Sequence, residues 1–404
     1  MPNQPHSVRL AVECLEDRTT PTFLARPAPG VINVNGVTQP AGGLSIAAGD
    51  LLPDPVSAFG FAQNEYVTGT GPGVNGLVRV WRLSGTTNGV GVPALTFSPF
   101  PGFTGGINVA IGDVVGDGNL EIIAAVAANG PPHVKVFSAN GQLLGSFFAF
   151  DPRFLGGVNI AAGNVLGGIA AGGYSGGPVS SGFKQEIIIG AAAGGSPHVV
   201  VTNAAGTVFR SFLAFDLGYR GGVTVAAGSI DTLRTAAFNF SGSDTNSYDE
   251  IIVGAATSIP HVKAFEVWTG AVVERLSFFA YGTPGGVTVA AGSTDNRRGA
   301  EIYVSQVVPS LAFAPVVRAF NNTGQLQLQF TPFPPGYSQV VNMVVAYLTP
   351  GFYDPSDDDS SAFNSNFDFN TQDLGIVSGD GAFQQQPRFF IGLGFGIPAG
   401  AFGP

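Results

Sequence analysis

The chain has 404 residues, 45% of them hydrophobic and only 11% charged, with a formal net charge of −10. Without any run of Lys or Arg it lacks the electrostatic footprint of a nucleic-acid binder or of a protein held on acidic lipid. No apolar stretch approaches the roughly 20 residues that a spanning helix needs, and the single Cys14 cannot form an internal disulfide.

Taken in chain order, residues 1–22 form a tail with no apolar core of the ordinary signal-peptide kind. It contains "LEDRTTP" (15–21), which resembles the short LEDR-type motif near the start of many predicted extracellular bacterial proteins. That resemblance implies an extracellular or cell-surface location. Residues 23–37, "FLARPAPGVINVNGV", hold strand-like apolar positions that end in a turn signal.

From residue 42 a phrase begins to recur: "GGLSIAAGD" (42–50), "GGINVAIGD" (105–113), "GGVNIAAGN" (156–164), "GGVTVAAGS" (221–229) and "GGVTVAAGS" (285–293), with a weaker copy, "VVNMVVAYL", at 340–348. Each copy is followed by a second apolar run that opens on Glu65, Glu121, Glu186, Glu250 or Glu301. A third run comes next, such as "HVKVF" (133–137). A turn bearing Asn or Thr with Gly then leads into an aromatic run of the form F-x-[AP]-[FY], such as "FFAF" (147–150). Apolar runs of this length bounded by Gly-rich turns read as short strands, and a four-strand unit repeated around 60 residues apart is the signature of a ring of sheets. The expected fold is therefore all-β, a six-bladed β-propeller of four-stranded antiparallel blades. Its blades start near 42, 105, 156, 221, 285 and 339, within one domain covering 23–398. The last copy stops after its third strand, so the segment at 23–37 is expected to supply the missing outer strand and close the ring.

The order "VAIGDVVGDGNLEIIAA" (109–125) resembles the FG-GAP repeats of integrin-like propellers. That family carries a calcium loop between the first two strands of a blade. Carried onto this sequence, the resemblance implies Asp113, Asp117, Asn119 and Glu121 as calcium ligands. The position that should follow Asp113 by two is Val115, which has no oxygen to offer. Blade five keeps Ser293, Asp295 and Glu301 but has Arg297 inside the loop, where a guanidinium would stand in for a cation. Other copies are interrupted by insertions, including 166–184 and the aspartate-rich 350–373, which reads as a solvated acidic loop.

The five glutamates sit in five different blades, so they cannot converge. Their expected role is to accept backbone N–H groups across the turn. His133, His198 and His261 share one repeat slot before the third strand. At about 4.7 Å per strand they lie on the order of 15 Å from the ring axis, too far apart to share a metal whose imidazole nitrogens sit about 2 Å away. They are a scaffold position, filled in other blades by Leu77, Val316 and Arg388. The second residue of each inner strand is Ser45, Asn108, Asn159, Thr224, Thr288 or Asn342. These are hydroxyls and amides, poor general acids or bases.

The loops from each outer strand to the next inner strand keep an aromatic, placing Phe103, Phe154, Tyr219 and Tyr337 on the face opposite the calcium loops, the face integrin-like propellers use for partners. Arg153 and Arg220 stand beside two of them, a pairing suited to sugars or to an acidic ligand. The competing reading is that each aromatic packs on the neighbouring blade. The function expected is a non-catalytic, monomeric extracellular binding or adhesion scaffold for a protein or polysaccharide, stabilised by calcium, with no nucleic acid and no membrane span. The alternative is a polysaccharide hydrolase or lyase with catalytic carboxylates on the long loops. A third is a structural surface-layer component that self-associates.

Overall fold

The computed structural model describes residues 26–27, 44–52, 65–82, 93–167, 184–230, 248–292, 300–307, 315–332, 341–346, 373–378 and 388–390. Among these, strands are the only regular elements. After β1 (Arg26–Pro27), the first blade comprises β2 (Leu44–Gly49), β3 (Glu65–Thr70), β4 (Val78–Trp81) and β5 (Pro93–Phe97). The second is β6 (Ile107–Gly112), β7 (Glu121–Val126), β8 (His133–Phe137) and β9 (Leu143–Phe148). The third is β10 (Val158–Gly163), β11 (Glu186–Ala191), β12 (His198–Thr202) and β13 (Val208–Leu213). The fourth is β14 (Val223–Gly228), β15 (Glu250–Ala255), β16 (His261–Glu266) and β17 (Val273–Phe279). The fifth is β18 (Gly286–Gly292), β19 (Glu301–Val307), β20 (Val317–Phe320) and β21 (Leu326–Phe330). Last come β22 (Val341–Ala346), β23 (Asp373–Ser378) and β24 (Arg388–Phe390).

The architecture is a β-propeller of four-stranded antiparallel blades. The expectation of six equivalent blades is corrected in count: five blades are built from four consecutive strands each. The remaining four-stranded sheet is composite, in the order β1-β24-β23-β22. Its outer strand is the two-residue β1, which pairs Arg26 with Phe389 and Pro27 with Arg388. Three consecutive runs alone could not complete it. The tail at 1–22 and the acidic loop at 350–372 lie outside the described residues.

Burial follows strand position. The second strands, such as "EIIAAV" of β7 and "EIIIGA" of β11, are buried at every residue, because a neighbouring blade covers each face. Such a strand can be continuously apolar instead of alternating. The core is accordingly a series of layers between blades. Val67, Val78, Ile107 and Ile122 fill the layer between the first two. Ile123, Val136, Ile160 and Ile187 fill the next. Tyr303, Val317, Val341 and Met343 fill the layer between the fifth blade and β22. Each fully buried Ile is worth about 1.5–3 kcal/mol, and these layers hold the ring together.

The small residues of the inner strands have a specific cause. Gly163 ends the inner strand β10, and a Cβ on it would stand 2.4 Å from the Cβ of Ala227 on the next inner strand, β14. Glycine there lets the inner strands approach.

Candidate functional site

Among the described residues three side-chain systems link neighbouring blades, and the acidic loop belongs to one of them. It runs from the end of β6 to the start of β7. Glu121 accepts from the N–H groups of Val114 (2.9 Å) and Val115 (3.0 Å). Asp113 Oδ1 accepts from Gly116 N (2.6 Å) and Asp117 N (3.1 Å), and its Oδ2 accepts from Gly118 N (2.9 Å). Gly116 and Gly118 both have φ of 86°, a left-handed turn that glycine adopts without strain.

Asp113, Asp117 and Glu121 bring one oxygen each within 4.8 Å of the others. Burial pushes the Glu121 carboxyl up to about 7, with Asp113 and Asp117 adding repulsion against the pull of the two N–H bonds. A bound cation would relieve that repulsion, and each carboxylate has an oxygen to offer it: both N–H bonds to Glu121 fall on Oε2, both bonds to Asp117 fall on Oδ1, and Asp113 Oδ2 accepts one. The fit is partial, because Val115 points 40% of its surface to solvent and has no ligand. Asn119, expected to ligate through its backbone carbonyl, donates its side-chain amide to Asp117 Oδ1 at 3.1 Å. Residues 293–299, with Asp295 and Arg297, lie outside the described residues.

The glutamate is a loop clasp in the other blades too. Glu65 accepts from Leu51 N (3.0 Å) and Leu52 N (2.9 Å), Glu186 from Val165 N (3.1 Å) and Leu166 N (3.0 Å), and Glu250 from Ile230 N (2.9 Å). In the third and fourth blades the side chain before it reaches back to the preceding blade. Gln185 accepts from Asp113 N at 3.0 Å, and Asp249 from Asn164 N at 2.9 Å. Burial raises Glu186 to about 7 and Asp249 to about 6.

Around the axis, the polar residue of each inner strand donates to a carbonyl of the next inner strand. Ser45 bonds Ile107 O (2.7 Å), Asn108 bonds Val158 O (2.8 Å), and Asn159 bonds Val223 O (2.8 Å). Thr224 bonds Val287 O (2.9 Å), Thr288 bonds Val341 O (2.6 Å), and Asn342 returns to Leu44 O (2.8 Å). The belt closes on itself. Its donors are consumed by structure, which leaves the inner strands without a group for proton transfer.

The histidines belong to the outer seam. The Nε2 atoms of His133, His198 and His261 lie 2.8, 2.7 and 2.8 Å from the hydroxyls of Ser146, Ser211 and Ser277. Each ring also packs on the aromatic that ends the preceding blade, with centroids 5.1 Å from Phe100, 5.1 Å from Phe150 and 5.2 Å from Phe215. In the second, fourth and fifth blades a cation two residues beyond this slot covers the aromatic that ends the preceding blade. Lys135 lies over Phe100 and donates to Pro99 O at 2.9 Å, Lys263 lies over Phe215, and Arg318 lies over Tyr281 and donates to Ala280 O at 2.7 Å. Sequence reasoning recognised the histidine slot as scaffold but missed these partners. The signal was present in the fourth position of each F-x-[AP]-[FY] run and in the Lys or Arg of "HVK" and "VVR".

On the face opposite the acidic loop, Phe103, Phe154 and Tyr219 are half-buried. Phe103 lies against Gly105 and Gly130, and Phe154 against Gly156 and Gly195. The Tyr219 hydroxyl donates to Thr257 O (2.8 Å) and accepts from Thr257 N (3.0 Å). These rings spend their surface on the next blade, as the packing reading expects. Arg153 is 91% exposed and pairs with Asp151 at 2.7 Å; Arg220 is exposed. Tyr337 lies outside the described residues. The apolar groups that do reach solvent here are Leu155 and Leu217, 61% and 62% exposed, and nothing in their spacing marked them.

No family model and no curated protein matches the chain. Among solved structures it is similar to Sqt1 of Saccharomyces cerevisiae, at 13% identity and a TM-score of 0.40, over 82% of this chain and 69% of that one. It is also similar to the Vibrio cholerae biofilm matrix protein Bap1, at 16% identity and 0.36, over 80% of this chain and 44% of that one. A rhamnogalacturonan lyase of Bacillus licheniformis aligns at 10% identity and 0.35, over 87% and 71%. Among the described residues no helix is long and apolar enough to cross a membrane.

Proposed function

We propose that this propeller is a non-catalytic extracellular binding scaffold of FG-GAP type, in which the composite sheet serves as the sixth blade and calcium tightens the loop at Asp113, Asp117 and Glu121. The observation that carries the reading is the pair Leu155 and Leu217, with Arg153 and Arg220, on two adjacent seams of one face. Their loops are pinned: Gly130 N donates to Leu155 O at 3.0 Å and Gly194 N to Arg220 O at 2.9 Å. Exposed apolar groups held on rigid backbone, with cations alongside, suit a partner that offers an apolar patch and carboxylates, such as a protein or an acidic polysaccharide. Low charge elsewhere and the absence of acid–base groups on the inner belt favour binding over catalysis.

The test is a glycan and protein array probed with the full chain, with and without calcium, alongside the double variant Leu155→Asp, Leu217→Asp. Binding lost by the variant at an unchanged melting temperature is the expected result. A soluble polysaccharide cleaved by the wild-type chain, seen as new reducing ends or unsaturated products, would establish the enzyme instead.

A further inference from the structure

The outer strands are not alike. Each blade ends on a strand with one side unpaired, β9 and β13 among them, and in the five blades of consecutive strands that outer strand carries a bulge where one residue has no partner across the ladder. The registers place Leu144 there in the second blade, between Leu143 and Gly145, and Phe209 in the third, between Val208 and Arg210. In the fourth and fifth blades the same position holds Arg275 and Gln327.

The apolar bulge residues are exposed, at 47% for Leu144 and 41% for Phe209. They are flanked by exposed Leu143, Phe148, Val208 and Leu213. No charge falls within 143–148, and the one charge in 208–213, Arg210, folds back onto the carbonyls of Val267 (3.0 Å) and Phe209 (2.9 Å). The two strands adjoin. Gly145 faces the Ala204 carbonyl of the third blade, and Gly206 lies under the Phe147 ring.

On the fourth blade Phe279 is exposed as well, but Glu274 pairs there with Lys263, and Arg275 with Glu266. Charges on an edge guard against strand-to-strand association, as bulges do. The fourth blade has both, and the second and third have the bulge without a carboxylate.

We propose that the rims of the second and third blades are a self-association surface, on which a second copy of this chain docks edge to edge across β9 and β13. The occupant follows from charge. The chain carries a formal charge of −10, so two copies repel over most of their surface, whereas 143–148 and 208–213 contain no carboxylate. A cationic partner would find nothing to grip there. β9 carries no charge at all, so its own copy can supply the missing backbone donors and acceptors, and antiparallel pairing of one strand with its own copy generates a two-fold axis. The surface is distinct from the Leu155–Leu217 face and stands or falls without it.

The experiment is sedimentation equilibrium of the full chain over a wide concentration range, comparing wild type with Leu144→Lys, Phe209→Lys and the control Gln327→Lys. The wild type and the control are expected to reach the mass of two chains at high concentration. Either rim variant should stay at the mass of one, with an unchanged melting temperature. Should a lysine variant melt early, Leu144→Ser and Phe209→Ser repeat the comparison without a charge. A wild type that remains a monomer at its solubility limit overturns the proposal, as does precipitation in place of a discrete pair. Rim variants that still form the pair overturn it as well.

Discussion

At the axis, a hydroxyl or an amide from one blade reaches a single carbonyl of the next; at the rim, an aromatic ring is clamped between a histidine and a cation. The inner seam tolerates Ser, Thr or Asn interchangeably, because one short donor is all that the backbone approach demands. The outer seam must span a widening wedge, so it uses large side chains, and its members vary: Val200 stands where Lys135 and Lys263 stand in neighbouring blades. Directional bonding sets spacing near the axis, and bulk sets stability farther out.

That division gives an ordered set of tests. Phe215 is 8% exposed and carries His261, Lys263 and Tyr219 on its ring. Phe215→Ala should therefore cost about 3–5 kcal/mol, read by urea unfolding. An inner-seam change should cost less. Asn159→Ala removes the donor to Val223 O and the acceptor for Asn108, a loss of about 1–3 kcal/mol. An Asn159→Ala more damaging than Phe215→Ala would reverse the proposed division.

The pH dependence sharpens the contrast between the loop clasps and the rim. Glu186 has its folded pKa raised to about 7 by burial, so its stabilisation is full at low pH and is lost as pH rises through 7. Glu186→Gln should then gain on the wild type between pH 5 and pH 8 in thermal melts. His198 has its folded pKa lowered by burial. Its contribution is present above the unfolded value near 6.5 and is lost as pH falls. His198→Leu should gain on the wild type in the opposite direction, toward pH 5. The smallest effect expected is from calcium at the partial site. Millimolar calcium should raise the melting temperature modestly, as any ligand confined to the folded state must, and Asp117→Asn should erase the rise. Equal responses in both proteins would remove Asp117 from the site.

The strand order and the starts of the inner strands were legible because a phrase such as "GGVNIAAG" (156–163) repeats its small residues wherever inner strands crowd. The glutamate clasps were legible for the same reason, a carboxylate at one offset from one turn. The rim was not. Phe150 sits two residues beyond the end of β9 and packs on His198 of the next blade, a contact that no period within a strand records. The half-buried loop aromatics were legible only as two competing readings, binding or packing. Phe154 and Tyr219 resemble binding residues in a glycine-rich loop, but those glycines are what leave room for their rings to pack. Leu155 and Leu144 gave no signal, since an apolar residue in a strand-rich chain is ordinarily core.

Every donor of the axial belt points from one blade to the next in the same rotational sense, and the bond from Asn342 to Leu44 joins residues 298 positions apart as the others join adjacent repeats. The belt thus makes no distinction between a seam crossed by the polypeptide and one that is not. A circularly permuted chain, opened within the exposed turn at 269–272 between β16 and β17 and joined by a linker between its present ends, would meet the same six hydrogen bonds. The order in which the blades are connected is, to that extent, separable from the ring that they form.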